Sequence, residues 1–261
     1  VTRCSATCWW VPCAGPQAAD PAAASPSPAT ILNSWSMCTG LWAQDLDDIP
    51  TSRYVLSVPS AKQKLLDASL SLFREQGFAA TTVDDLCHRA GVTKGAFFHH
   101  FESKEALGVA AVEHWSRTTG ALFHTAPYHQ VPDSLGRVRA YLALRKSLIR
   151  GELAQYTCVA GTLVQETYAS HPAIRHACAD SIFGHAGTLV ADFAAAMTER
   201  GVEADVTAES LAAHTQCVLQ GAFVLAKTRG DARVAVESIE HLERYIELLF
   251  SEKPKRRRKL S

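Results

Sequence analysis

From residue 60 to residue 251 the chain predicts an all-α protein of about nine helices, and three features of the sequence carry that expectation. Apolar residues recur at three- and four-residue intervals, the repeat of one helix face. Gly and Pro fall between the periodic stretches, where helices stop. No stretch alternates apolar and polar residues over the length of a strand.

The first helix is expected to open at Ser60, with Gln63 completing a capping box, to place Leu66, Leu70 and Phe73 on one face, and to end at Gly77. Val83, Leu86 and Ala90 form the face of a short second helix. Residues 93–100 form a third, capped by Thr93, and Ser103 caps a longer fourth that runs to about Phe123. Beyond Pro132 the expected helices cover residues 133–150, 157–169, 172–200, 207–229 and 232–251. Gly151, His171-Pro172, Gly201 and Gly230-Asp231 separate them.

The ends of the chain differ from this pattern. Residues 1–59 carry four of the five tryptophans and a Pro/Ala/Ser-rich stretch from Gly15 to Thr30 without sustained periodicity, so a disordered extension is expected. Arg3 precedes a short apolar patch, but Pro12 interrupts it, and the expected location is cytoplasmic. The run KPKRRRK from Lys253 to Lys259 lies past the last apolar residues and is expected to be a solvated basic tail spanning 252–261.

Composition excludes more than it assigns. Lys+Arg and Asp+Glu are equal at 26 each, so net charge points to no nucleic acid. No apolar run approaches the ~20 residues of a membrane-spanning helix, so no membrane partner is expected. Four cysteines (Cys4, Cys8, Cys13, Cys38) crowd the first segment, and Cys87, Cys158, Cys178 and Cys217 sit singly within helical patterns. No Cys-x-x-Cys pair is present, and no His stands at zinc-like spacing from the N-terminal cysteines, so buried thiols and no metal or cofactor are expected. Gly-x-Ser-x-Gly, His-Glu-x-x-His, phosphate-loop and Gly-x-Gly-x-x-Gly patterns are all missing, which argues against an enzyme.

The informative segment is Thr81 to Phe101. Two short helical patterns meet at Ala90-Gly91-Val92, where Gly91 permits a tight turn and a steep angle between the helices. Phe97 and Phe101 stand four apart and are expected to point inward against Leu86, Val83 and Phe73. Lys94, Gly95, Phe98 and His99 then occupy the opposite face, which a recognition helix offers to the major groove. Gly95 costs helix stability of about 1 kcal/mol relative to Ala, a loss explicable by close approach of the backbone to DNA.

The residues Leu72-Phe73, Gly77-Phe78, Thr81-Thr82-Val83, Ala90-Gly91-Val92, Lys94-Gly95, Phe97 to Phe101 and Ser103-Lys104-Glu105 together resemble the DNA-binding signature of the TetR (tetracycline-repressor) family. The resemblance implies a three-helix helix-turn-helix domain over 60–107, followed over 108–251 by a helical ligand-binding and dimerisation domain. It implies a repressor that binds a palindromic double-stranded DNA operator as a homodimer and is released by a small-molecule effector or a reactive electrophile. Thr81 or Thr82 would hold a phosphate at a helix N-terminus. Thr93, Lys94, Gly95, Phe98 and His99 would face the DNA, and Lys104 would pair with a second phosphate. Phe98 stands where many relatives carry Tyr, so no hydroxyl can reach a phosphate from that position.

Apolar residues Leu211, Val218, Leu219, Ala222, Phe223, Leu225, Ile239, Leu242, Ile246 and Leu249 fit either a dimer seam or an intramolecular core, and the resemblance favours the seam. Trp115, Phe123, Leu144, Leu148, Tyr168, Phe183 and Phe193 are candidate pocket walls, with Gln165, Glu166, His185 or Gln216 for polar contacts. Cys158, at the start of a helical stretch, is a candidate reactive thiol.

Overall fold

A computed structural model describes residues 59–202 and 205–251. The extension over 1–58 and the basic tail over 252–261, and with them Cys4, Cys8, Cys13 and Cys38, lie outside the described residues. Among the described residues the chain forms helices only: α1 (Ala61–Ala80), α2 (Val83–Ala90), α3 (Lys94–His100), α4 (Lys104–His124), α5 (Ser134–Ser147), α6 (Leu153–Tyr156), α7 (Val159–Thr167), α8 (Pro172–Gly187), α9 (Val190–Arg200), α10 (Ala208–Arg229) and α11 (Arg233–Phe250). A 3-10 turn at Pro127–Gln130 joins α4 to α5.

Local chemistry sets the first four helices. Ser60 accepts the Gln63 N–H at 3.2 Å, but the Gln63 side chain turns to Asp67, so only half of the expected capping box forms. Gly77 interrupts α1 with φ +86°, a conformation that suits glycine, and the helix resumes for one short turn to Ala80. Thr82 opens α2 with a complete capping box to Asp85. Gly91 ends α2 in the left-handed region and donates its N–H back to the last turn. Thr93 caps α3 and Ser103 caps α4 through their side-chain oxygens.

Two differences from the expected elements lie in the second half. The stretch 172–200 is two helices, because Thr188 and Leu189 tilt the chain between α8 and α9 while keeping helix-like φ and ψ. The single-turn α6 stands between Gly151 and Thr157, where no helix was expected.

Three buried clusters organise the packing. The first joins α1, α2, α3 and the start of α4 through Leu65, Leu66, Leu72, Leu86, Cys87, Phe97, Phe101 and Leu107. Phe73 is not part of it. It joins Phe78, Ala111, Val112, Val159, Leu163, Ile174 and Cys178 in a second cluster that packs α1 and α4 against α7 and α8. The third and largest core runs from Phe123 through α5, α9, α10 and α11. Helix α4 therefore crosses all three clusters, with Leu107, Ala111 and Phe123 one in each.

Most of the proposed seam belongs to this third core. Leu211, Leu219, Ala222, Phe223, Ile239, Leu242 and Ile246 are buried within the chain, and Val218 and Leu249 are partly buried against it. Of the expected set only Leu225 is widely exposed; Val224, Tyr245 and Leu248 are exposed as well. The reason is geometric: α10 and α11 pack on each other and on the neighbouring helices, which takes up the apolar face with the strongest periodicity.

Candidate nucleic-acid interface and effector groove

Helix α3 is short and two-sided. Phe97 is fully buried, which stabilises the helix-turn-helix by roughly 1.5–3 kcal/mol of apolar transfer. Phe98 beside it is 57% exposed. Thr93, Lys94, Gly95 and His99 are exposed on the same side as Phe98, while His100 is half-buried. Lys94 meets Asp84 at 2.7 Å, an exposed pair that a phosphate can replace with little loss. A Cβ built on Gly95 would find only the Thr93 Oγ1 at 3.8 Å, so nothing inside the chain requires glycine there.

The other candidate DNA contacts also make contacts within the fold. Thr81 is fully buried, and its hydroxyl donates to the Gly77 carbonyl at 2.6 Å. The Thr82 N–H and hydroxyl both donate to Asp85 Oδ2, at 2.9 and 2.7 Å. Asp85 thereby closes the capping box on Thr82. Lys104 donates to the Phe78 and Thr81 carbonyls, each at 2.9 Å, and lies 4.4 Å from the centre of the Phe78 ring. Burial lowers its pKa, with the Glu166 carboxylate opposing that shift. Lys104 fastens the end of α1 to the start of α4; two of its three N–H donors face protein carbonyls.

The candidate pocket walls scatter in the same way. Tyr168 and Phe183 are 62% and 66% exposed and Leu148 is 38% exposed, so none of them lines an enclosed wall. Phe193 and Phe123 are packed in the third core, Leu144 rests against it, and Trp115 lies under the Arg74 guanidinium at 5.1 Å. Gln216 and His185 meet at the buried Tyr141, whose hydroxyl is 2.9 Å from His185 Nε2 and 3.4 Å from Gln216 Nε2. Burial, aided by the Arg145 charge, pushes the His185 pKa down to about 4. That cluster is a mutually satisfied polar network inside the core.

Cys158, Gln165 and Glu166 do come together. They line a groove of about 280 Å³ between α7 and α10 with Thr157, Gly161, Thr162, Gln220, Phe223, Val224, Lys227 and Thr228. Cys158 is the N-cap of α7, and the Gly161 N–H donates to its sulfur at 3.4 Å. Lys227 donates to Thr162 Oγ1 at 2.9 Å. The expectation of buried thiols holds for Cys87 and Cys178, while Cys158 is half-buried and Cys217 is exposed. Among the described residues no cluster of His, Cys, Asp and Glu could hold a metal, and no helix is long and apolar enough to cross a membrane.

Sequence reasoning missed Arg74, Thr157 and Lys227. Arg74 links α1 to the carbonyls of Gln155 and Thr157, at 3.0 and 3.5 Å. Glu166 accepts the Ala79 N–H at 2.9 Å, and its carboxylate lies so close to Gly77 that a Cβ there would collide with it. Gly77 was the available signal: a glycine at a helix end can serve close approach as well as a turn.

Two short capped helices around a left-handed glycine, with the second presenting one exposed face, define a helix-turn-helix protein. Comparison with known proteins extends this. Residues 65–111 match the model of bacterial regulatory proteins of the TetR family, and residues 135–237 match the C-terminal domain of LmrA/YxaF-like transcriptional regulators. The chain belongs to the TetR family. It is 44% identical over 54 residues to the uncharacterized HTH-type transcriptional regulator YerO of Bacillus subtilis, covering 21% of this chain and 19% of that one. It is 46% identical over 46 residues to the HTH-type transcriptional repressor KstR2 of Rhodococcus jostii, covering 18% and 22%. The chain thus spans about a fifth of the length of these curated relatives. Its fold resembles the crystal structure of a TetR regulatory protein from Rhodobacter sphaeroides, with a TM-score of 0.63, 24% identity, and coverage of 71% of this chain and 98% of that one.

Proposed function

We propose that the chain is a repressor that binds a palindromic DNA operator as a homodimer and is released when a small molecule or reactive electrophile engages its regulatory half. The observation that carries this reading is the two-sided α3, whose Phe97 is buried while Phe98 and His99 face outward. The solvent-facing Phe98 ring, beside exposed Lys94 and His99, is open to contact by a thymine methyl or a sugar. Lys94 and the N-terminal amides of α3 supply phosphate contacts beside it. Similarity to a relative named as a repressor supports repression over activation.

Homodimerisation is supported by large apolar residues that the chain leaves exposed on its last two helices. Val224, Leu225, Tyr245 and Leu248 are exposed by 40%, 55%, 40% and 76%. Cys217 and Gly221, also exposed, continue the stripe along α10 at helical spacing. Two copies related by a two-fold axis would bury these residues and set two α3 helices against successive major grooves, about 34–36 Å apart or somewhat more. Selecting bound sequences from a random DNA pool tests the reading. Enrichment of a two-fold palindrome is the expected result; no enrichment, or enrichment of a single asymmetric site, would overturn it.

A further inference from the structure

Helix α2 carries two carboxylates in its first turn, and the cap of the helix uses one of them. Asp85 closes the capping box by accepting the Thr82 N–H and hydroxyl. Asp84 instead reaches across the turn to α3, where its Oδ1 lies 2.7 Å from Lys94 Nζ. Both side chains stay open to solvent, Asp84 by 67% and Lys94 by 62%, so the pair adds little to stability. Lys94 stands on the outward side of α3 with Gly95, Phe98 and His99, and Asp84 adds a negative charge beside that surface. Such a charge opposes the approach of DNA phosphates whatever the sequence. The domain has no surplus of cations to mask it. Over residues 60–107 six Lys and Arg stand against six Asp and Glu, and Arg74 and Lys104 are bonded to carbonyls within the chain.

A carboxylate on a DNA-binding surface is compensated where the groove offers it an N–H donor, and the major groove offers two, cytosine N4 and adenine N6. Adenine N6 lies between two acceptors, its own N7 and the O4 of the paired thymine, and both repel a carboxylate. Cytosine N4 has an acceptor, guanine O6, on one side only. We infer that Asp84 is a specificity-determining residue that accepts from the N4 amino group of a cytosine in each half-site, while Lys94 leaves it for a neighbouring phosphate. The exchange leaves neither charge unpartnered. Lys94 trades a carboxylate for a phosphate, and Asp84 trades an ammonium for a base amine. Guanine and thymine present acceptors or a methyl group at that edge, so the same carboxylate penalises them. The DNA-reading surface therefore includes a residue of α2 besides the outer side of α3. The inference rests on the reading that α3 enters the major groove of an operator.

The test uses the full chain and its Asp84→Ala and Lys94→Ala variants. Each selects sequences from a random DNA pool, and affinities are then measured for single-base variants of the selected operator and for DNA of unrelated sequence. The unaltered chain should select cytosine at one position in each half-site, and replacing that base should lower affinity about 10-fold. Asp84→Ala should lose the preference at that position alone and bind unrelated DNA several-fold more tightly, because a negative charge near the phosphates is gone. That gain also tells a lost base contact from a lost fold, which would weaken all binding. Lys94→Ala should weaken binding to every sequence alike and keep the cytosine preference. Retention of the preference in Asp84→Ala would overturn the inference. Its loss in both variants would do so as well, because Asp84 would then act only by orienting Lys94. Failure of the unaltered chain to enrich any sequence overturns the DNA reading itself, whereas an enriched operator whose base preferences survive Asp84→Ala overturns this inference alone.

Discussion

The recognition half and the regulatory half are held together by different means, and the difference explains what each can be asked to do. In the first, short helices are defined residue by residue by side-chain caps at Ser60, Thr82, Thr93 and Ser103 and by the left-handed Gly91. Its polar groups are largely spent on the fold, which leaves one exposed face on α3 for a partner. In the second half, α8, α9 and α11 lack a side-chain hydrogen bond at the N-cap. Helices α9 and α11 are held by the large third core and α8 mainly by the second. The spare polar groups of this half collect at the junction with α1, along the α7–α10 groove.

The largest effect expected from breaking the first arrangement is at Lys104. Removing the ammonium leaves two carbonyls, of Phe78 and Thr81, without their charged donor. Lys104→Ala should therefore destabilise the full chain by about 3 kcal/mol in a denaturant melt, the scale of losing charge-assisted hydrogen bonds. Its preference among DNA bases should stay as it was. An unchanged melt would return Lys104 to the list of phosphate contacts.

The second arrangement can be strained with acid. His185 is held neutral inside the core, with a pKa lowered to about 4 from its ordinary 6.5 by burial first and the Arg145 charge second. The unfolded chain takes up this proton near pH 6.5 and the folded chain only near pH 4, so the stabilisation is complete above about pH 6.5 and is lost as pH falls toward 4. Thermal midpoints measured between pH 7 and pH 5 should fall, and His185→Gln should flatten that fall. An identical slope in the variant would place the acid sensitivity elsewhere.

A smaller and sharper test separates fold from function at Gly95. No part of the chain crowds the site, so Gly95→Ala should stabilise α3 by up to about 1 kcal/mol through helix propensity. DNA affinity should nevertheless fall, because the added methyl group stands between the backbone and the groove. A stabilised variant with full affinity would remove close approach as the reason for this glycine.

These contrasts also account for what was legible in the sequence. The helix-turn-helix was readable because each boundary carries its own chemistry, and the inward Phe97 and outward Phe98 follow from helical spacing alone. Thr81, Thr82 and Lys104 were assigned to DNA because their types suit phosphates; whether a donor is already satisfied depends on tertiary partners such as Gly77 and Phe78. The break between α8 and α9 was hidden because Thr188 and Leu189 keep helix-like backbone angles. Aromatic residues were poor guides to a pocket because rings bury readily against one another, as Phe123 and Tyr141 do. The groove is walled mainly by small and polar residues that come together only when α7 docks on α10, and Gly161 permits that approach to Gln220.

The central claim is that α3 reads the DNA while the neighbouring polar residues hold it in place. The most direct measurement is the affinity of the unaltered chain, His99→Ala and Lys104→Ala for a panel of single-base variants of the selected operator. His99→Ala should lose discrimination at one position in each half-site, by about 1–3 kcal/mol, with its thermal midpoint unchanged. Lys104→Ala should keep the discrimination pattern and melt earlier. A Lys104→Ala chain that melts normally but changes its base preference, beside a His99→Ala chain that keeps it, would contradict the account.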